Sequence, residues 1–186
     1  STFSSWGPGP SLTLKPEITA PGGHIYSSLP GGEYGDNSGT SVASPHMAGI
    51  AAGMRQYLSE SDQFSGLSAY RTGQLVDALL MSTAVPLTDP DGVYYSPRSQ
   101  GAGLANMEAA IQTTAYLPDE SGDIAKGELG SSETGSFTYP FWINNFGSET
   151  LRHQIYTAVL VPGFYYEDGV AFMAGQDRQL EANEYT

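Results

Sequence analysis

From Val42 to Leu58 the chain is built almost wholly of small and apolar residues, among them Ala43, Ala48, Ile50, Ala51, Ala52 and Met54. Such a run predicts a helix buried all round rather than one lying on a surface. Ser44 and Pro45 fall where its first turn belongs, since proline is tolerated where no intrahelical donor is needed. Over residues 65–81, Leu67, Tyr70, Leu75, Ala78, Leu79 and Met81 recur at the spacing of an amphipathic helix. Val85-Pro86 ends it, because the residue before proline avoids helical geometry. Asn106 is placed to cap a further helix over Met107–Thr113.

Extended segments are shorter. Glu17–Ala20, between prolines, reads as a short buried strand, and Ile25–Leu29 as a second extended piece. Residues 30–37, Pro-Gly-Gly-Glu-Tyr-Gly-Asp-Asn, read as a loop. Near Leu117 the helical patterning stops. Phe137–Ile143 and His153–Val161 then read as strands, with a turn over Asn144–Ser148. Val170–Met173 and Gln179–Tyr185 are a third and a fourth.

Composition narrows the function. The 186 residues suffice for one ordinary domain or two small ones. A net charge of −13 argues against nucleic acid as a partner, because phosphate binding needs clustered Lys and Arg. There is no long apolar run, so no membrane span is expected. Cysteine is absent, which excludes disulfides and thiol chemistry. No basic-apolar leader stands at Ser1, and the chain is expected to begin inside a domain. Asp89 and Asp91 sit in a turn cluster without the spacing of a calcium loop, so a solvated turn is expected and no metal site. Gly101-Ala102-Gly103 lacks the strand, helix and third glycine of a nucleotide-binding loop; close backbone packing accounts for it, and no cofactor is expected.

The chemistry centres on Ser41. A hydroxyl at a helix N-terminus stands beside unpaired N–H groups, and the helix dipole favours an oxyanion there. Ser41 therefore reads as a nucleophile. The plainer reading is that Ser41 or Ser44 is a helix cap. His46 lies five residues along the helix, off the face of Ser41, and reads as a buried structural histidine; His24 reads as a polar turn residue.

The wider string changes the weighting between these readings. Gly39-Thr40-Ser41-Val42-Ala43-Ser44-Pro45-His46-Met47-Ala48-Gly49 resembles the nucleophile signature of subtilisin-like serine proteases. Phe3–Pro8, Leu14–Gly22 and Ile25–Gly31 resemble the approach to that serine, and Gln100–Asn106 resembles the closing segment of the catalytic domain. The resemblance implies an α/β fold: the C-terminal portion of a subtilisin-like domain, with a buried nucleophile helix and short parallel strands, over 1–116. Over 117–186 position and pattern resemble the start of a fibronectin type III-like antiparallel β-sandwich, incomplete because such a domain needs about 100 residues. Large bacterial cell-envelope subtilases carry such a module after the catalytic domain, which implies an extracellular, secreted or cell-envelope protein.

By resemblance, Ser41 is the catalytic serine of a serine endopeptidase, and Ser38, Gly39 and Thr40 touch the backbone of a polypeptide substrate. A serine needs a base to take its proton. In subtilisin, the handling of the triad runs Asp, then His, then Ser. No matching Asp precedes Ser41, and none of His24, His46 and His153 matches the triad histidine. The chain alone is expected to be inactive, to need the missing N-terminal part of the catalytic domain, and to self-associate through the apolar helix face left open. The alternatives are a non-catalytic protease-like binding or adhesion module, and an esterase. The second is disfavoured because Gly39-Thr40-Ser41-Val42-Ala43 has Ala where the hydrolase elbow has Gly.

Overall fold

A computed structural model describes residues 3–118, 125–127, 132–167 and 170–179. In chain order its elements are β1 (Ile25–Leu29), β2 (Glu33–Asn37), α1 (Thr40–Glu60), α2 (Ala69–Ser82), α3 (Pro97–Gln100), α4 (Met107–Gln112), β3 (Ala115–Tyr116), β4 (Asn144–Asn145), β5 (Leu160–Glu167) and β6 (Val170–Gln179). A 3-10 turn, Asp62–Phe64, lies between α1 and α2.

The core lies where α1, α2 and α4 meet. Met54 and Leu58 of α1, one helical turn apart, are fully buried against Val76, Leu79 and Leu80 of α2 and Ala110 of α4. The ends of these helices are set by side chains. Ser68 Oγ accepts from Arg71 N–H at the start of α2. Asn106 Oδ1 accepts from Ala109 N–H at 3.0 Å at the start of α4. Helix α2 ends at Ser82, three residues before Val85, with Thr83 leaving helical geometry as the C-cap.

Helix α1 differs from expectation in two ways. It begins at Thr40, so Pro45 lies inside it rather than in its first turn. With no N–H, Pro45 withholds the bond that the Ser41 carbonyl would otherwise accept. Nor is α1 buried all round: Ser44, Pro45, Ala48, Gly49 and Ala52 are exposed. Small side chains mark a close approach, but the described residues supply a packing partner on one side only.

The strands also depart from the sequence reading. Residues 33–37 form β2, paired antiparallel to β1 with Leu29 opposite Glu33, so only Pro30-Gly31-Gly32 remains as the connecting turn. The glycines at 31 and 32 close a hairpin instead of opening a longer loop. Glu17–Ala20 is not a full strand; Thr19 makes one parallel bridge to Leu104, which also pairs antiparallel with Val85. Gly103 and Leu104 thus sit in a backbone sandwich, with Thr19 N–H donating to Gly103 O and Val85 and Leu104 exchanging bonds of 2.8 and 2.9 Å. Beneath them Gln100, almost fully buried, receives Leu87 N–H at 2.7 Å and donates to the carbonyls of Leu87 and Tyr95.

Beyond Leu117 the regular structure is sparse. Phe137–Ile143 holds no regular strand, and Asn144–Asn145, expected as a turn, pairs with β3. The expected strand over 153–161 begins only at Leu160, as β5, which forms a hairpin with β6. The expected fourth strand falls, after Gln179, outside the described residues. Among the described residues the sheets are separate two-stranded pairs, so the layered sandwich is not seen. This part nevertheless docks on the helices. Phe146 packs edge-on to Phe64 and against Tyr116, and its carbonyl accepts from Gln63 Nε2 at 2.8 Å.

Candidate active site

The approach to Ser41 is a strip of extended backbone held on both sides. Glu17 O accepts from Ala102 N–H, and Thr19 O accepts from Ala105 N–H, each at 2.9 Å. Next along the strip, Pro21 O accepts from His46 Nδ1 at 2.8 Å. That bond gives the ring its Nδ1–H tautomer and ties α1 to the strip. Then Gly22 O accepts from Gly39 N–H at 2.7 Å, and Ser38 Oγ accepts from His24 N–H at 2.8 Å. Residues 21–24 are thus clamped to 38–46 by successive bonds, and the β1–β2 hairpin projects from the clamp.

Gly39 is the pivot. Its backbone, at φ 157° and ψ 165°, lies in a region that glycine alone occupies freely. A Cβ there would stand 3.2 Å from Ser41 Oγ. Gly22 is required for a different reason: a Cβ on it would stand 2.7 Å from Gly39 O and 2.9 Å from the Ala43 methyl. Glycine at both positions lets the strip pass directly under the helix start.

Ser41 is the second residue of α1 and is exposed. The first intrahelical bonds run from Val42 and Ala43 N–H to Gly39 O. The N–H groups of Thr40 and Ser41 precede them, so the helix offers these two donors no acceptor. An oxyanion beside Ser41 would meet them together with the positive end of a helix of 21 residues. Ser38, Gly39, Thr40 and Ser41 therefore form one continuous rim from the end of β2 to the first turn of α1. A cavity of about 740 Å³ opens beside it, bounded by Trp6, Ala20, Thr40, Ser44 and Met47 among others.

No histidine among the described residues is hydrogen-bonded to Ser41. His46 is half-buried rather than buried, and is occupied by Pro21. His24 is in the turn as expected, its side chain 91% exposed and its Nδ1 3.5 Å from Asp36 Oδ2. The turn at 88–92 is closed by Asp89, whose Oδ1 accepts from the N–H groups of Asp91 and Val93 at 3.0 and 2.9 Å. No group of three or more His, Cys, Asp or Glu able to hold a metal occurs among the described residues.

Three groups around the site are not visible in the sequence pattern. The Pro21 carbonyl and the buried Gln100 side chain act across gaps of 25 and 13 residues, with no local spacing to announce them. Glu17 is a third. Burial pushes its carboxyl up, but the hydrogen bond and charge of Lys15, with Lys126 3.6 Å away, more than reverse this and hold it below the usual range.

Comparison with known proteins gives the chain's family. The subtilase family model matches residues 1–104. The PII-type proteinase of Lacticaseibacillus paracasei is 33% identical over 99% of the chain, and the C5a peptidase of Streptococcus pyogenes is 38% identical over 69% of it. The chain spans 11% of the length of each. The solved structure of the Clostridium perfringens CspB protease aligns with 60% of this chain and 23% of its own, at 25% identity and a TM-score of 0.48. The matched residues are part of a subtilisin-like domain of mixed helices and short strands, and the chain belongs to the subtilase family of serine peptidases.

Proposed function

We propose that Ser41 is the nucleophile of a serine endopeptidase, and that this chain is the portion of its catalytic domain that carries the serine, over 1–116, followed by the beginning of a fibronectin type III-like module over 117–186. The observation that carries the reading is the place of Ser41: second in a long helix, next to two N–H groups without helical acceptors, with Gly39 leaving room at its hydroxyl. Ser38, Gly39 and Thr40 line the rim along which a peptide backbone would lie. The base that takes the Ser41 proton, the acid that orients it and the remaining oxyanion donor belong to the rest of the catalytic domain. Ser41 attacks the peptide carbonyl, the C–N bond breaks as the base returns its proton to the leaving amine, and water releases the acyl group.

The exposed small residues of α1 and the cavity beside Thr40 are the faces on which the rest of the domain would pack. Their exposure supports the expectation that the isolated chain self-associates. Relatives named as proteinase and peptidase support a polypeptide substrate, and the resemblance to cell-envelope subtilases supports an extracellular or cell-envelope place of action. Among the described residues no helix is long and apolar enough to cross a membrane.

A fluorophosphonate probe applied to the full-length protein tests the reading. Labelling at Ser41 that disappears in Ser41→Ala supports it. A folded full-length protein that takes no label would favour the non-catalytic binding module instead.

A further inference from the structure

We infer that the outward face of the β1–β2 hairpin is a subsite for a cationic side chain, Lys or Arg, of the bound polypeptide. The inference rests on the peptidase reading of Ser41 and deepens it by naming a substrate preference.

Residues of a strand alternate between faces, and opposite partners share one. Tyr26 pairs with Asp36 and Ser28 with Tyr34, so Tyr26, Tyr34 and Asp36 share a face. That face is open: Tyr26 and Tyr34 are 73% and 67% exposed, and the Asp36 side chain is 58% exposed. The two rings are nearly parallel, 22° apart with centroids at 6.2 Å, and form one aromatic surface beside a carboxylate. An ammonium or guanidinium fits such a surface twice over, through the ring faces and through the carboxylate, while its aliphatic stem lies along the rings. Among the described residues no Lys or Arg forms an ion pair with Asp36. No Lys or Arg occurs between Lys15 and Arg55, and the ion-pair partner of Asp36 among the described residues is His24, at 3.5 Å.

The patch is also within reach of the cut bond. The hairpin is pinned at its base by the Gly22–Gly39 and His24–Ser38 bonds, so its position relative to Ser41 is set. Asp36 lies five positions before Ser41, at most about 18 Å of chain, which an extended substrate covers in about five residues.

The experiment uses the full-length Ser41→Ala protein, which binds without cutting. Fluorescein-labelled short peptides of Ala, Leu and Ser carry a single Lys at successive positions, with a matched set carrying Gln. Anisotropy titrations are expected to show, at one position, about three- to tenfold tighter binding of Lys over Gln. The preference should vanish in Asp36→Asn and in the Tyr26→Leu/Tyr34→Leu pair, and Asp36→Lys should transfer it to a Glu peptide. If the rings only stabilise the hairpin as a cross-strand pair, these ratios will not move. Equal Lys and Gln affinities at every position, or no binding by any Lys peptide, overturn the inference. Fluorophosphonate labelling of the wild type is scored separately, so loss of the subsite and loss of the peptidase reading are told apart.

Discussion

The two ends of α1 are held by different forces. At the C-terminal end Met54 and Leu58 have almost no surface left and are fixed by apolar contact with α2 and α4. At the N-terminal end hardly anything is fully buried, and position is set by hydrogen bonds from the 21–24 strip to Gly39, Ser38 and His46. Burial supplies stability but closes access. Directional bonds to backbone can hold a reactive group in place and still leave it open to a substrate. One helix thus carries a structural end and, on the proposed reading, a chemical end.

The largest expected effect isolates the chemical end. In the full-length protein Ser41→Ala should cut kcat by roughly 10⁶-fold, the size measured for loss of this serine in subtilisin itself. Its unfolding free energy should stay within about 0.5 kcal/mol of wild type. A large loss of stability would mean that Ser41 is a cap rather than a nucleophile. Met54→Ala makes the opposite probe. It should cost about 2–5 kcal/mol by denaturant unfolding, while the folded fraction keeps its labelling rate. Slower labelling per folded molecule would show that the two ends are coupled.

Gly39→Ala joins the two. Its backbone strain should cost about 1–3 kcal/mol. The added methyl, at 3.2 Å from the hydroxyl, should also slow phosphonate labelling. Loss of stability with an unchanged labelling rate would remove Gly39 from the site. The smallest effect concerns Glu17, in the strip. Its carboxyl is held below its ordinary value of 4.5, so its contribution is present above that pH and fades as pH falls through the lowered value. Glu17→Gln should flatten this part of the stability–pH curve, by less than about 1 kcal/mol for a partly exposed pair. An unchanged curve would leave the lysines without effect on the strip.

The helices packed on the far end of α1 were the most legible. Helix α2 follows from apolar spacing and α4 from capping by Asn106, which are local properties. The hairpin was half legible: β1 showed as an extended run, while the glycines around Tyr34 hid β2. Beyond Leu117 alternation was a poor guide. Phe137–Ile143 has a strand's composition, yet a strand needs a partner, and the described chain gives none to it.

Residue order alone determined the family and the helix that holds Met54 and Leu58, because a signature string and a run of small and apolar residues are local properties. Only the tertiary structure decided that α1 starts at Thr40, that His46 is committed to Pro21 and that half of α1 stands open. Those depend on which distant carbonyls and surfaces come within reach, and no local pattern encodes distance across the fold.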